Sequence, residues 1–172
     1  MVDNNKSLLI INAVLFQLVW FVAVQGNSVY ALIGLLLLLG AHFILMKPDI
    51  NEFILIPIVS VAGILTDSMI MNTGWVQYHG SSEFFVPVWL CVLWVAFATT
   101  IKHSMQWVFR STWLPAILGL FVVPFSYWAG IQLSGSQFLA MPIKVLLLEG
   151  LAWSLILTAI GYFLNKPERM VC

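Results

Sequence analysis

The sequence predicts an all-α polytopic membrane protein with six transmembrane helices, on three observations. Apolar residues make up 62% of the 172 residues and charged residues only 8%, whereas soluble domains are nearer half and a quarter. The apolar residues form six runs, each long enough to cross about 30 Å of hydrocarbon. The basic residues cluster on one side of the membrane that these runs define. The predicted spans are 8–26, 29–46, 53–72, 84–101, 113–133 and 142–164.

The basic residues orient the predicted helices. Of the seven lysines and arginines, only Lys144 falls on the outer side. Because cytoplasmic loops of membrane proteins carry an excess of Lys and Arg, we expect both termini in the cytoplasm. The other six precede the first span or follow the second, fourth and sixth; they are Lys6, Lys47, Lys102, Arg110, Lys166 and Arg169.

The connections between spans are short, so we expect the chain, 1–172, to form a single transmembrane domain. The turn at 26–28 predicts a hairpin of the first two helices. Asp49 or Asn51 is expected to cap the third helix, and Pro124 to kink the fifth. The zero formal net charge gives no support for nucleic-acid binding.

Two acidic residues, Asp67 and Glu149, lie within predicted spans. An ionised carboxylate in hydrocarbon is costly, so such residues usually face the bundle interior and mark functional sites. At helical rise they lie about 7 and 10 Å from the outer boundary, and Tyr127 can reach the same level. Two carboxylates at one depth predict a shared proton. This group fits either catalysis or transport, or a hydrogen bond that only holds the helices in register.

A second polar group is predicted near the inner boundary. It comprises Asn12, His42, Thr99, Thr100 and His103, which we expect to form one patch open to the cytoplasmic headgroups. A neutral histidine can ligate a metal or move a proton. Two histidines fall short of the three or four ligands of usual sites, so no metal site is predicted. The alternative is a helix contact for His42 and a headgroup position for His103.

Two further segments are expected at the headgroups. Trp75, Tyr78 and His79 have amphipathic rings in an outer loop, which suit the headgroup layer. Lys102 and Arg110, in the inner connection after the fourth span, are expected to attract anionic lipid.

Several stretches together resemble a bacterial family of small integral membrane proteins of unknown function. They are 12–21, 63–68, 87–104, 124–130 and 149–153. Genes of that family often lie beside those for cyclopropane-fatty-acid-synthase-like methyltransferases. The resemblance therefore implies a role in the bacterial inner membrane linked to lipid modification. It supplies no catalytic residue and no cofactor.

Three functions stay open at this point. The first, which the buried acids, the many aromatic residues and the resemblance favour, is a membrane-embedded enzyme or accessory factor acting on lipids or lipophilic molecules. The second is a small transporter or channel for protons, cations or solutes. The third is a structural partner of other membrane proteins. The expected partners are accordingly the bilayer, a lipophilic molecule or other membrane proteins, and the cofactor is unknown.

Overall fold

The computed structural model describes the backbone of residues 2–165 and the side chains of residues 6–165. The predicted cytoplasmic residues Lys166 and Arg169 lie outside this part. The elements are α1 (Val2–Ala23), α2 (Ser28–Leu45), α3 (Ile50–Asn72), β1 (Val76–Gln77), α4 (Val88–Ala98), α5 (Gln106–Phe109), α6 (Leu114–Ser134), β2 (Gln137–Phe138) and α7 (Pro142–Leu164).

Five helices, α1, α2, α3, α6 and α7, are long and apolar enough to cross a membrane. Their outward faces carry large apolar side chains that are mostly exposed, such as Ile44 at 74%, Phe125 at 73% and Leu155 at 73%. Apolar surface on this scale indicates contact with lipid rather than water. The predicted all-α class is confirmed, and the five apolar helices are compatible with the predicted multi-pass membrane protein.

The fourth predicted span differs from the prediction. It is helical only over Val88–Ala98, about 16 Å at helical rise, which is too short to cross the hydrocarbon alone. Pro87 is extended at the start of α4, and the Thr99 and Thr100 hydroxyls donate to the Ala96 and Phe97 carbonyls at 2.7 and 2.6 Å. Such local bonds compete with the helical pattern, and the chain continues in turns as far as Met105.

The short helix α4 lies at the centre of the bundle. It packs against α1, α2 and α3, while α6 packs against α7, and α7 contacts α3. Its buried residues include Trp89 and Trp94. Because three helices pack against most of α4, its length does not have to match the bilayer.

Hydrogen bonds and close contacts assign the connections alternately to two ends of the bundle. At one end, the backbone N–H of His79 donates to Ser136 Oγ at 2.9 Å, and Gly26 lies against the Ser134 carbonyl. At the other end, Lys102 pairs with Asp49. The chain therefore passes six times between the ends, although α4 is short.

The turn between α1 and α2 is the predicted hairpin. Gly26 has a φ of +76°, a conformation that glycine adopts without strain. Asn27 caps α2 through its Oδ1, which accepts from the backbone N–H groups of Val29 and Tyr30 at 3.0 and 3.2 Å. At α3 the cap is Asp49, one of the two predicted candidates.

A π-helical segment, Leu118–Val122, interrupts α6 just before Pro124, between α-helical stretches at Leu114–Ile117 and Val123–Ser134. Proline has no N–H and its ring clashes with the carbonyl four residues earlier, so a wider turn accommodates it. The segment packs closely on α7: a Cβ at Gly119 would lie 2.5 Å from the Ser154 backbone. Small residues of this kind let transmembrane helices approach closely.

The loops after α3 and α6 are joined by a short antiparallel ladder that the sequence did not indicate. Val76 pairs with Phe138 and Gln77 with Gln137. The Trp75 carbonyl also accepts hydrogen bonds from the backbone of Leu139 at 2.8 Å and of Ala140. The ladder draws the loop after α3 over the end of the bundle and positions Tyr78 below it.

Candidate functional site

Asp67 is the centre of a hydrogen-bonded network in the bundle interior. Its side chain is fully buried, and each carboxyl oxygen accepts one bond. The Trp94 indole N–H donates to Oδ2 at 2.7 Å, and the Tyr127 hydroxyl donates to Oδ1 at 2.7 Å. The Trp153 indole N–H donates in turn to the Tyr127 oxygen at 2.9 Å. These four residues, from α3, α4, α6 and α7, are called the Asp67 network below.

Gly63 makes room for the Trp94 ring. A Cβ at this position would lie 1.9 Å from the indole, so no other residue fits there without moving the ring. The ring stacks on Trp153, with centroids 4.2 Å apart and an interplanar angle of 14°. Gly63 and Asp67 are four residues apart and share one face of α3. That face therefore both supports the indole and accepts its N–H.

Glu149 has a different partner. The Tyr78 hydroxyl donates to its Oε1 at 3.0 Å, while Oε2 is buried and has no hydrogen-bond partner among the described residues. Burial raises the pKa of Tyr78 well above its usual value, so the phenol keeps the proton that it donates. The predicted headgroup position of Tyr78 is wrong, because the residue is 2% exposed. Neighbouring Trp75 and His79 are exposed.

The structure thus joins two of the three predicted outer residues directly, Asp67 and Tyr127, and gives Glu149 its own donor. Both tyrosines, Tyr78 and Tyr127, line one cavity. A proton shared between the two carboxyl groups stays a prediction.

The cavity lies between α1 and α4 on one side and α6 and α7 on the other, and has a volume of about 230 Å³. Its surface is almost entirely apolar and aromatic. The lining includes Phe16, Trp20, Trp89, Phe97, Leu118 and Trp153. Polar groups of the Asp67 network thus adjoin an otherwise apolar space, an arrangement typical of small-molecule sites.

At the end of the bundle where Lys102 pairs with Asp49, Asn12 ties α1 to the turns after α4. Its Nδ2 donates to the Thr99 carbonyl at 3.2 Å, and its Oδ1 accepts from the Ser104 hydroxyl at 2.6 Å and backbone N–H at 3.2 Å. Thr99 and Thr100 use their hydroxyls within their own segment. Asn12 thus contacts the segment that contains Thr99, while the two threonine hydroxyls are occupied in ending α4. The predicted opening of this patch to the headgroups is wrong for four of its five residues, because Asn12, His42, Thr99 and Thr100 are at most 3% exposed.

The two predicted histidines meet at an acid that the sequence reasoning missed. The His42 and His103 ring centroids are 5.1 Å apart. His103 Nε2 lies 2.9 and 3.1 Å from the two Glu52 oxygens, and His42 Nε2 lies 3.1 Å from Oε1. Glu52 and His42 are buried at 2% and 1% exposure. The prediction of no metal site counted two donors, and Glu52 supplies a third.

An ion pair lies beside this cluster. Lys102 Nζ donates to both Asp49 oxygens at 2.6 Å, and this bond holds the pKa of Asp49 below its ordinary value. Asp49 Oδ1 also accepts the Glu52 backbone N–H at 2.9 Å as the α3 cap. Lys102, predicted to attract lipid, has a protein partner instead. Arg110 donates to Gln106 Oε1 at 3.4 Å.

Of two site residues that the sequence analysis did not identify as such, Glu52 had a signal in the sequence and Tyr78 did not. Glu52 follows the Asp49 cap by three residues, and α3 contains no Lys, Arg or His that could pair with it. An acid so placed needs a partner from elsewhere in the fold. Tyr78 had no comparable signal, because its position depends on strand pairing across 62 residues between Val76 and Phe138.

Comparison with known proteins places the chain in a family without assigning an activity. No curated protein and no solved structure matches it. The model of a family described as "Protein of unknown function (DUF2878)" matches residues 9–159, which include every site residue discussed above. The chain therefore belongs to the DUF2878 family of uncharacterised proteins.

Proposed function

We propose that this protein is a membrane-embedded enzyme or accessory factor that binds a lipophilic molecule in the aromatic cavity and acts on it through the Asp67 network. One observation carries the proposal: the Tyr127 hydroxyl lines the cavity while it donates to a fully buried carboxyl group. Burying a carboxyl group inside a membrane costs free energy, so a buried acid there usually has a role in binding or chemistry.

The size of the cavity supports a small guest. A dry cavity of about 150 Å³ lined by apolar residues is known to hold benzene. At about 230 Å³ the cavity accommodates a somewhat larger ring or a segment of an acyl chain. The aromatic lining favours such a guest over a hydrated solute, since few polar groups are available to replace lost water.

The position of the cavity supports entry from the bilayer. Val122 is 54% exposed and Ser126 is also exposed, yet both line the cavity. These two residues mark an opening of the cavity toward the lipid, on the lipid-facing side of α6. A lipophilic molecule would thus enter sideways from the hydrocarbon without crossing water.

The Asp67 network supports proton transfer or orientation of the guest. The Tyr127 oxygen donates one bond and accepts one, which leaves one lone pair for a polar group of the guest. Asp67 can accept the Tyr127 proton while the phenolic oxygen takes a proton from the guest, so that Tyr127 acts as a base and the proton ends on Asp67. General acid–base catalysis needs a donor within hydrogen-bond reach of this kind.

Ser126→Trp is expected to block the opening. In purified protein labelled with a photoactivatable acyl probe, the wild type should carry cross-links on cavity residues such as Leu118 and Trp153. The added indole should lower labelling there about tenfold or more, corresponding to about 1.4 kcal/mol of binding free energy.

Thr158→Trp is the matched control, because Thr158 is exposed on α7 and does not line the cavity. It should leave the labelling of the cavity intact. Cross-links confined to lipid-facing residues, unchanged by Ser126→Trp, would contradict a binding cavity.

We also propose that the membrane is the bacterial inner membrane, with both termini in the cytoplasm. The bias of the basic residues supports this orientation. In a variant without Cys91 and Cys172, cysteines introduced at Gln25 and Leu139 should react with an impermeant reagent from the periplasm. A cysteine at Gln106, near the opposite end, should react only after the membrane is opened. The reverse pattern would invert the topology.

A second candidate function is proton-coupled transport of a small solute. The observation that favours it is Glu149 Oε2, a buried oxygen without a hydrogen-bond partner in the described part of the chain, beside a second buried acid. Buried carboxyl groups are common in proton relays. Proton-driven solute uptake into proteoliposomes, lost in Glu149→Gln, would favour this function over the first.

A further inference from the structure

We propose that His42, Glu52 and His103 form a binding site for a divalent transition-metal ion at the inner end of the bundle. The site is separate from the aromatic cavity, and its existence does not depend on the function proposed for that cavity. Three observations carry the inference: the spacing of the donor atoms, the burial of a histidine without hydrogen bonds, and the chemistry of the donor set.

The donor atoms already have nearly the spacing of a coordination sphere. One donor atom from each residue lies within 4.8 Å of the other two. The distances from Glu52 Oε1 to the two Nε2 atoms are 3.1 Å for His42 and 2.9 Å for His103. Ligands at ~2.0–2.2 Å from a tetrahedral zinc ion are about 3.3–3.6 Å apart. Small side-chain shifts would therefore admit an ion among the three.

His42 provides the independent observation. Its side chain is 1% exposed, and within the described residues neither ring nitrogen makes a hydrogen bond. Its Nε2 nevertheless lies 3.1 Å from Glu52 Oε1, close enough for both atoms to bind one ion. Buried polar atoms are nearly always satisfied, and an exception calls for a missing partner such as an ion. A metal bound at Nε2 would give that nitrogen a partner and offset the charge of Glu52.

The donor set selects the class of ion. Two imidazole nitrogens and one carboxylate suit zinc and other first-row transition metals, whereas magnesium and calcium prefer oxygen ligands. Three protein ligands leave a fourth position for water or a substrate, as in catalytic rather than structural zinc sites.

The surroundings allow an ion to reach the site. His103 is 16% exposed, and the neighbouring Lys102–Asp49 pair is more open, at 24% and 56%. The same pair, through the Asp49 cap, holds the first turn of α3 and with it Glu52. The ligands thus come from α2, α3 and the turns after α4, and the site would tie these segments together.

The test is zinc binding by the full-length protein, purified in detergent without a histidine tag and stripped with a chelator. Titration calorimetry and elemental analysis should find one zinc ion per chain, and excess magnesium should not displace it. Glu52→Gln and His103→Gln should each weaken binding by about a hundredfold or more, since even outer-shell changes cost about 10–100-fold.

His79→Gln is the matched control, because His79 is an exposed histidine in the outer loop and its loss should leave zinc binding unchanged. Zinc should also raise the thermal stability of the wild type but not that of the two ligand variants. If Glu52→Gln fails to fold, the part-exposed His103 still provides the decisive variant. Absence of stoichiometric zinc, or zinc binding that His103→Gln leaves intact, would overturn the site and reduce the cluster to a hydrogen-bonded pair.

Discussion

Replacing Asp67 by alanine is expected to destabilise the protein by about 2–4 kcal/mol. Two donors, the Trp94 indole and the Tyr127 hydroxyl, lose their acceptor, and interhelical hydrogen bonds in membranes are worth up to ~1.7 kcal/mol each. The vacated volume adds a cavity cost. The loss should appear as a lower midpoint of unfolding when SDS is titrated into the detergent-purified protein.

Asp67→Asn should be much milder. Asparagine keeps the size of the side chain and one acceptor oxygen, which can still receive the Trp94 N–H. Its amide N–H₂ can donate to the Tyr127 oxygen, whose remaining lone pair is free in this network. Equal destabilisation by Asn and Ala would mean that the network does not hold the helices through these hydrogen bonds.

Gly63→Ala is expected to cost about 1–3 kcal/mol or more, the range for overpacking a close contact. The new methyl would lie 1.9 Å from the Trp94 ring, so the indole must leave its position. It would then lose both its bond to Asp67 and its stacking on Trp153. The same unfolding titration, together with near-ultraviolet circular dichroism of the tryptophans, measures the effect.

A double variant separates this clash from a general effect of the methyl group. Trp94→Leu removes the ring, so adding Gly63→Ala to it should cost far less than Gly63→Ala does alone. Gly40→Ala is the control, because nothing lies within 4 Å of a Cβ there and alanine favours a helix. Additive costs in the double variant would show that Gly63 is required for another reason.

Hydropathy was sufficient to predict most of the helical architecture, because a chain in lipid must satisfy its backbone within helices. It failed at the fourth span, 84–101, since the apolar run begins four residues before α4, which starts after the extended Pro87, and ends beyond Thr99 and Thr100, which end the helix. A centrally packed helix and a lipid-facing one are equally apolar. The length of the apolar run therefore overestimated the length of α4, which packs mainly against α1, α2 and α3.

The candidate residues were identified because a polar side chain in hydrocarbon is unfavourable unless it has a partner. That reasoning found Asp67, Glu149, His42 and His103. It could not supply partners that distant segments bring together, such as Glu52 for His103 across 51 residues. The cavity could not be predicted from the sequence for the same reason, because it lies between helices that are far apart in the sequence.

The proposed role of the buried acids is tested most directly by the double variant Asp67→Asn/Glu149→Gln, which keeps side-chain size but removes both carboxyl groups. It should be expressed in a deletion strain at the wild-type level, and its lipid profile compared with that of the wild type and the deletion. We expect a folded protein that still takes up the acyl probe but leaves the lipid profile of the deletion unrestored. Full restoration by this variant would contradict a catalytic or proton-transfer role and leave the two acids with a purely structural one.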